Sequence, residues 1–444
     1  MTVARLAIAA GVLLACGVIA VPASAQSADA APPVPPLPAP SGLQLFPAKP
    51  PEMMPYLASV NLYGCTCLQE NAAIMGDPLS LAAQAVKTEL AKVGINYAIW
   101  QSYDFVAMSG TLPGKQSTLS AYTFNSYLTW NVFQSDELSG TSGWLAVGGS
   151  ASTGLGTDLS KQNPSENLGL IGYPDGSIYG QVAYLYELAW QQSFFDGHFV
   201  ATVGFMDPEI YMDLNSFSNN QCNQLLNYEF INPSTIPWSF NALGVVLQWQ
   251  PVDWFYAMFG SLANNTVAGE DPFANLSGDD WTNTFELGII ADDMLGLGRG
   301  VYRVLPYWGS YGGESGSGVL LNVEQKLGKD APFAAFVRTG CTGGGLGNVQ
   351  NGQANVSCGL VLDGPTESAL LRADQAYFAA GFYWLRGAAP TLAHQDEYGL
   401  EFTYVYQLTQ TMTLQPDLQV IIDPANNPDA GSEVMFTMQV NMTW

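Results

Sequence analysis

Charge is what this sequence lacks. Only 11% of its 444 residues are Asp, Glu, Lys or Arg, against about 25% in an ordinary soluble domain. The basic side is the emptier one, with 13 Lys and Arg facing 38 Asp and Glu and a formal charge of −25. So few cations argue against nucleic acid or anionic headgroups as partners. The 2 histidines, His198 and His394, sit in turn-like stretches, which leaves a Ser-His-Asp hydrolase without support. Neither lies near Cys65-Thr66-Cys67 in sequence, so no metal site is expected there. Phosphate-binding glycine loops, zinc helices and dinucleotide fingerprints are missing as well, and no cofactor or catalytic residue is expected. Carboxylate pairs are available for glycoside chemistry, but sequence gives no separation between them. Beyond the N-terminal segment no apolar run approaches the ~18 residues of a spanning helix. No fixed-period repeat suggests a propeller or solenoid.

What the sequence does have is alternation. In Val434 to Trp444 the even positions are Val, Phe, Met, Val, Met and Trp, and those between are Met, Thr, Gln, Asn and Thr. Successive strand side chains point to opposite faces, so one face is apolar and the other almost wholly polar. Leu414, Pro416, Leu418, Val420 and Ile422 alternate likewise with Gln415, Asp417 and Gln419; Phe402, Tyr404, Tyr406 and Leu408 alternate with Glu401, Thr403 and Gln407. A soluble sandwich has the same period. The low charge, an export signal at the start and an aromatic last residue favour a closed barrel, which satisfies every backbone group in lipid without helices.

Met1 to Ala25 reads as a secretory signal, with Arg5 before an apolar core and Ala23-Ser24-Ala25 as the cleavage site. Residues 26–58 read as a proline-rich periplasmic linker, and 59–444 as the barrel region. A short amphipathic helix is expected over 79–94, with Gly94 placed to end it. Tyr184, Tyr186, Leu188 and Trp190 alternate with Leu185, Glu187, Ala189 and Gln191, and Asp196-Gly197 is a hairpin turn signal. Long loops are expected at 208–241, 263–283, 309–318 and 340–357, with short turns at the other end. Cys341 and Cys358 bracket one of these loops. A bridge between them would be worth about 3 kcal/mol on the chain-entropy estimate, and Cys65 or Cys67 is a candidate partner for Cys222.

Several stretches are similar to the carbohydrate-selective porins of the OprB type. They are Tyr184 to Gly197 followed by Val203 to Asp207, Ala242-Leu243-Gly244 leading to Trp249-Gln250-Pro251, and Thr413 to Gln419 followed by Asp423-Pro424 and Pro428-Asp429. Val86 to Ile95 resembles their N-terminal helix. Pro78-Leu79-Ser80 stands where those porins often carry Trp-Gly-Gly. The resemblance implies an all-β transmembrane antiparallel barrel of 16 strands in the bacterial outer membrane, passing glucose and other small sugars by diffusion. A general or cation-preferring porin is the alternative, and a barrel acting through its loops as an adhesin or enzyme is a further one. Strand parity puts Glu187, Gln191, Glu286, Glu324, Lys326, Arg338, Glu401, Asp417 and Gln419 on the polar face as candidate pore-lining residues. Arg303 and Arg386 are weaker candidates. Trp100, Trp190, Trp249, Trp254 and Trp444 are expected as anchors at the lipid interface. The expected partners are small sugars, outer-membrane lipids and the barrel assembly machinery, the last through the strand ending at Trp444.

Overall fold

The structure is a computed structural model that describes residues 78–444 apart from 136–139, 179, 240, 265–279, 330, 350–351, 364–376, 390, 410 and 444. The expected signal peptide and linker, Cys65, Cys67 and Trp444 lie outside the described residues. Helix α1 (Pro78–Ala91) precedes the strands β1 (Ile95–Met108), β2 (Thr118–Ser135), β3 (Thr141–Gly154) and β4 (Val182–Phe194). Next come β5 (Phe199–Met206), β6 (Ala242–Val252), β7 (Phe255–Ala263), β8 (Trp281–Ala291), β9 (Gly300–Tyr311) and β10 (Glu314–Lys326). The last six are β11 (Phe333–Gly344), β12 (Gly352–Asp363), β13 (Tyr377–Gly387), β14 (Asp396–Gln407), β15 (Met412–Ile422) and β16 (Ser432–Thr443). Each strand pairs antiparallel with its neighbours in sequence, and β1 closes the barrel on β16, with Trp100 opposite Thr443 and Met108 opposite Met435. No strand edge is left open, which in lipid would be costly.

Burial alternates as the residue types require. Along β16, Glu433, Met435, Thr437, Gln439, Asn441 and Thr443 are buried inside, whereas Val434 and Phe436 are exposed outside. Phe285, Ile289, Leu321, Val337, Phe378, Phe402 and Leu418 continue the exposed apolar surface around the cylinder. Among the described residues no helix is long and apolar enough to cross a membrane. The strands are what span.

Helix α1 packs against β1, with the Lys87 ammonium 5.2 Å from the Tyr97 ring centroid. Gly94 ends its last turn at φ +77, where a Cβ would lie 2.8 Å from the Asn131 carbonyl oxygen. The expected Asp196-Gly197 turn joins β4 to β5, with Phe194 opposite Phe199 and positive φ at Phe195, Asp196 and Gly197.

Two expected loops prove to be strand. Across 309–318, β9 and β10 run on to a two-residue turn at Gly312-Gly313, and across 340–357 only 345–351 leaves the sheet, holding helix α4 (Leu346–Val349). The glycines there serve close packing. A Cβ on Gly318 would stand 2.2 Å from the ring of Tyr307, which crosses it to donate its hydroxyl to the Thr235 carbonyl at 2.7 Å.

Candidate channel constriction

A sixteen-stranded cylinder is too wide for its own side chains to fill, and two connections on one rim fold into it. One joins β3 to β4 over 155–181 and contains helix α2 (Pro164–Leu168). The other joins β5 to β6 over 207–241 and contains a 3₁₀ turn (Pro208–Ile210) and helix α3 (Tyr228–Ile231). Largely non-helical chain brings unpaired N–H groups into a buried place, and each needs an acceptor.

The wall supplies carboxylates. Glu187 accepts the Asp207 backbone N–H at 3.3 Å and the Tyr211 hydroxyl at 2.5 Å. Glu286 accepts from Asp213 N–H at 2.9 Å and from the Tyr256 hydroxyl at 2.6 Å. Glu324 accepts both the backbone N–H and the hydroxyl of Ser216, at 2.6 and 2.9 Å. Glu401 takes the N–H groups of Leu226 and Asn227 at 2.5 and 3.0 Å. For the 155–181 connection, Glu397 accepts from Ile171 and Gly172 at 3.1 and 3.3 Å. These acids act as staples.

The two lumen arginines are also engaged. Arg338 is fully buried; it pairs through Nε with Asp213 Oδ2 at 3.2 Å and donates to the carbonyls of Ser218, Phe230 and Asp213. Arg303 pairs with Glu324 at 3.2 Å and donates to the Tyr256 hydroxyl at 3.0 Å.

Between the 207–241 connection and the β1–β4 wall a cavity of about 140 Å³ remains. The wall side presents Trp100, Ser102, Thr123, Asn125, Tyr127, Tyr184 and Tyr186; the loop side presents Asp207, Glu209, Asp213, Asn219, Gln221, Tyr228 and Asn232. Tyr127 and Tyr186 stack with ring centroids 6.3 Å apart, and Tyr184 meets Tyr186 edge-on at 6.5 Å. Asp207 caps the 3₁₀ turn by accepting Glu209 N–H at 3.0 Å, and the Tyr228 hydroxyl donates to Glu209. Burial pushes the Glu209 carboxyl up to about 7, and burial with the Glu209 charge alongside pushes Asp207 well above the usual carboxylate range. Asp213 rises to about 6 because burial outweighs the opposing pull of Arg338. Glu229, in α3, rises to about 7 by burial.

Eight of the nine candidate side chains point inward and are buried, as parity predicts; Lys326, also on the inward parity, ends β10 exposed. None of the nine lines this cavity. Glu187, Glu286, Glu324, Arg338 and Glu401 stand behind the loop and hold it. Gln191 donates to the Tyr211 hydroxyl at 3.0 Å, and Gln419 donates to the Pro174 carbonyl at 2.7 Å and to Asp417 at 3.0 Å. Arg303 joins the buried network, while Arg386 faces outward and pairs with Asp396 at 3.2 Å.

Three expectations are corrected. Cys341 and Cys358 are thiols and are not bridged to each other. Both lie on the outer face of adjacent strands, but Cys341 is opposite Ala354 and Cys358 opposite Val337. That offset of four residues far exceeds the ~4.4–6.8 Å Cα separation a disulfide needs. Cys222 is disulfide-bonded, to a partner outside the described residues. Trp100, expected at the lipid interface, points inward with Ser102 and Asp104 and lines the cavity. Trp249 and Trp254 are exposed outside. Tyr184 and Tyr186, expected on the face of Leu188 and Trp190, turn inward because a bulge sets Gly148 opposite Glu187 and Gly149 opposite Leu185. The same bulge puts Tyr186 and Glu187 on one side.

A closed sixteen-stranded antiparallel barrel with loops folded into its bore has the architecture of a bacterial outer-membrane porin. Residues 310–444 match the family model described as the carbohydrate-selective porin, OprB family, which bears out the resemblance over that stretch. In fold the chain is similar to the high-pH structure of Pseudomonas putida OprB, at a TM-score of 0.64 and 15% identity over 81% of this chain and 96% of that one. It is also similar to the low-pH structure of the same protein, at a TM-score of 0.51 and 15% identity over 84% and 98%. No curated protein matches.

Proposed function

We propose that the protein is an outer-membrane channel through which small sugars diffuse passively, with the cavity between the 207–241 connection and the β1–β4 wall as its narrow part. The observation that carries this reading is the lining itself. Trp100, Tyr127, Tyr184, Tyr186 and Tyr228 offer rings to the apolar faces of a sugar, while Ser102, Thr123, Asn125, Asn219, Gln221 and Asn232 can exchange hydrogen bonds with its hydroxyls. A channel needs such contacts to be weak and several, so that solute both enters and leaves. The family match over residues 310–444 supports the same substrate class. Glu187, Glu286, Glu324, Glu401 and Arg338 serve by fixing the loop, Gln191, Asp417 and Gln419 complete the wall, and Lys326 stands exposed at the end of β10.

Outer-membrane lipid is the partner of the apolar outer face, the assembly machinery is the partner of the last strand, and the first 25 residues are removed on export. A barrel working through its loops as an adhesin or enzyme would be favoured by loops that fill or cap the lumen; the 207–241 connection does enter it, but leaves a cavity lined by rings, amides and hydroxyls, and that lining favours conduction. Planar-bilayer conductance titrated with glucose, xylose and a disaccharide tests the reading. Stable openings partly blocked by monosaccharides are expected, and openings indifferent to all three would overturn it.

A further inference from the structure

The cavity lining is lopsided in charge. Asp207, Glu209 and Asp213 are its ionisable acids, and it holds no Lys or Arg. Asp213 is matched by Arg338. Asp207 and Glu209, both half-buried, are in no ion pair among the described residues. Their partners are neutral: the Tyr228 hydroxyl donates to Glu209, and Asp207 accepts a backbone N–H. Glu187 stands behind Asp207 on β4 and accepts its backbone N–H, and the Arg338 guanidinium, already paired with Asp213, is the cation whose field reaches Glu209. Asn232, more than nine-tenths buried, lines the same space with an Oδ1 that has no hydrogen-bond partner. It is an acceptor available to a hydroxyl.

We propose that Asp207 and Glu209, once ionised on the alkaline side of neutrality, make this constriction an anion-rejecting filter, so that among sugars of equal size the channel passes neutral ones and turns back those bearing a carboxylate or phosphate. Rings of Asp and Glu set cation preference in channels generally, and a narrow low-dielectric passage strengthens each charge. The inference rests on the sugar-channel reading and deepens it, because it says which sugars are refused. It also explains how a pore so poor in free cations handles uncharged solutes: recognition falls to rings, amides and hydroxyls.

The test is equilibrium exchange of labelled glucose and labelled glucuronate at about pH 8, where the pair carries charge, into proteoliposomes holding the full-length barrel, with the reversal potential in a KCl gradient measured in parallel. Glucuronate should exchange at least about fivefold more slowly than glucose, the factor that about 1 kcal/mol between unit charges at close range in a water-like dielectric gives, and the reversal potential should be that of a cation-preferring pore. In Asp207→Asn/Glu209→Gln, which keeps side-chain size, the glucuronate-to-glucose ratio should rise towards one and the cation preference should fall. Equal exchange of both sugars in the unaltered protein would overturn the filter while leaving sugar passage standing. Slow glucuronate unchanged in the variant would overturn its assignment to these two residues. No exchange of glucose through folded, conducting barrels would overturn the sugar-channel reading instead. Should the variant not fold, the unaltered protein decides at two pH values. The groups facing the pair are Glu187, Asp213, Tyr228 and Arg338, and the raised carboxyls lose charge on acidification. Discrimination against glucuronate must therefore weaken between about pH 8 and about pH 6, and a ratio indifferent to pH would overturn the proposal.

Discussion

Asp213 and Arg338 meet at 3.2 Å with both side chains almost fully buried, one on the 207–241 connection and the other on β11. The pair locks loop to wall, and Arg338 adds bonds to the carbonyls of Ser218 and Phe230. Removing one partner of such a pair leaves an uncompensated buried charge, at a cost of about 3–5 kcal/mol. Arg338→Met is expected to detach this part of the loop, raising single-channel conductance and making it noisy. Planar-bilayer recordings check this; steady conductance at the original level would refute the locking role.

Glu401 holds two successive N–H groups, those of Leu226 and Asn227. Glu401→Gln keeps one acceptor oxygen and turns an amide NH₂ towards the other donor, with an expected loss of about 1–3 kcal/mol locally. Hydrogen exchange at residues 224–228 should accelerate while the exchange of β14 and β15 is unchanged. Uniform protection across the loop would sink the idea.

Stability should depend on pH through the loop acids. Glu209 and Glu229 are raised to about 7, and Asp175 and Asp213 to about 6, in each case chiefly by burial. Between the unfolded values of about 4 and these folded values, the folded state holds more protons than the unfolded one, so stability falls as pH rises. Below the unfolded values the contribution is fully present; above the folded values it is gone. Detergent-solubilised barrel should therefore unfold at a higher temperature near pH 5 than near pH 8, as thermal melts followed by circular dichroism would show. The reverse order would contradict the assignment.

Trp100 is the largest ring on the wall side of the cavity. Trp100→Ala removes a stacking surface, for which about 1 kcal/mol, or roughly fivefold in affinity, is a reasonable scale. Weaker glucose block of the current, with a larger conductance, is the expected outcome in bilayer titrations.

Thiol chemistry separates the cysteines. Cys341 and Cys358 are thiols outside any disulfide, and Cys222 is disulfide-bonded. In denaturant without reductant, alkylation should therefore label the first two, and Cys222 only after reduction. Mass spectrometry of the peptides decides this.

The strands near the C-terminus were readable because their two faces differ so sharply: Leu414 to Ile422 and Val434 to Met442 need only period two to be placed. Inward orientation of Glu286, Arg338 and Asp417 followed from the same parity. What alternation could not convey is the occupant of the bore. A carboxylate facing water and one clasping the backbone of a loop that enters between strands carry the same pattern, so Glu324 and Glu401 looked like pore lining and turned out to be supports. Trp100 had a usable signal, since it shares parity with Ser102 and Asp104. Tyr184 and Tyr186 had none, because one extra residue at a bulge reverses a strand's faces without altering its composition. Glycine misled at 309–318, where Gly318 makes room for Tyr307 and opens no loop.

The carboxylates of Glu187, Glu286, Glu324 and Glu401 are spread around the cylinder, and each takes at least one main-chain N–H of the inserted segment. Main-chain N–H groups are common to every residue except proline. The insert thus behaves as an exchangeable collar: apart from the side chains that grip the wall (Tyr211, Asp213 and Ser216), its residues can be rewritten, and the aperture retuned for another solute, while the cylinder and its hold stay as they are.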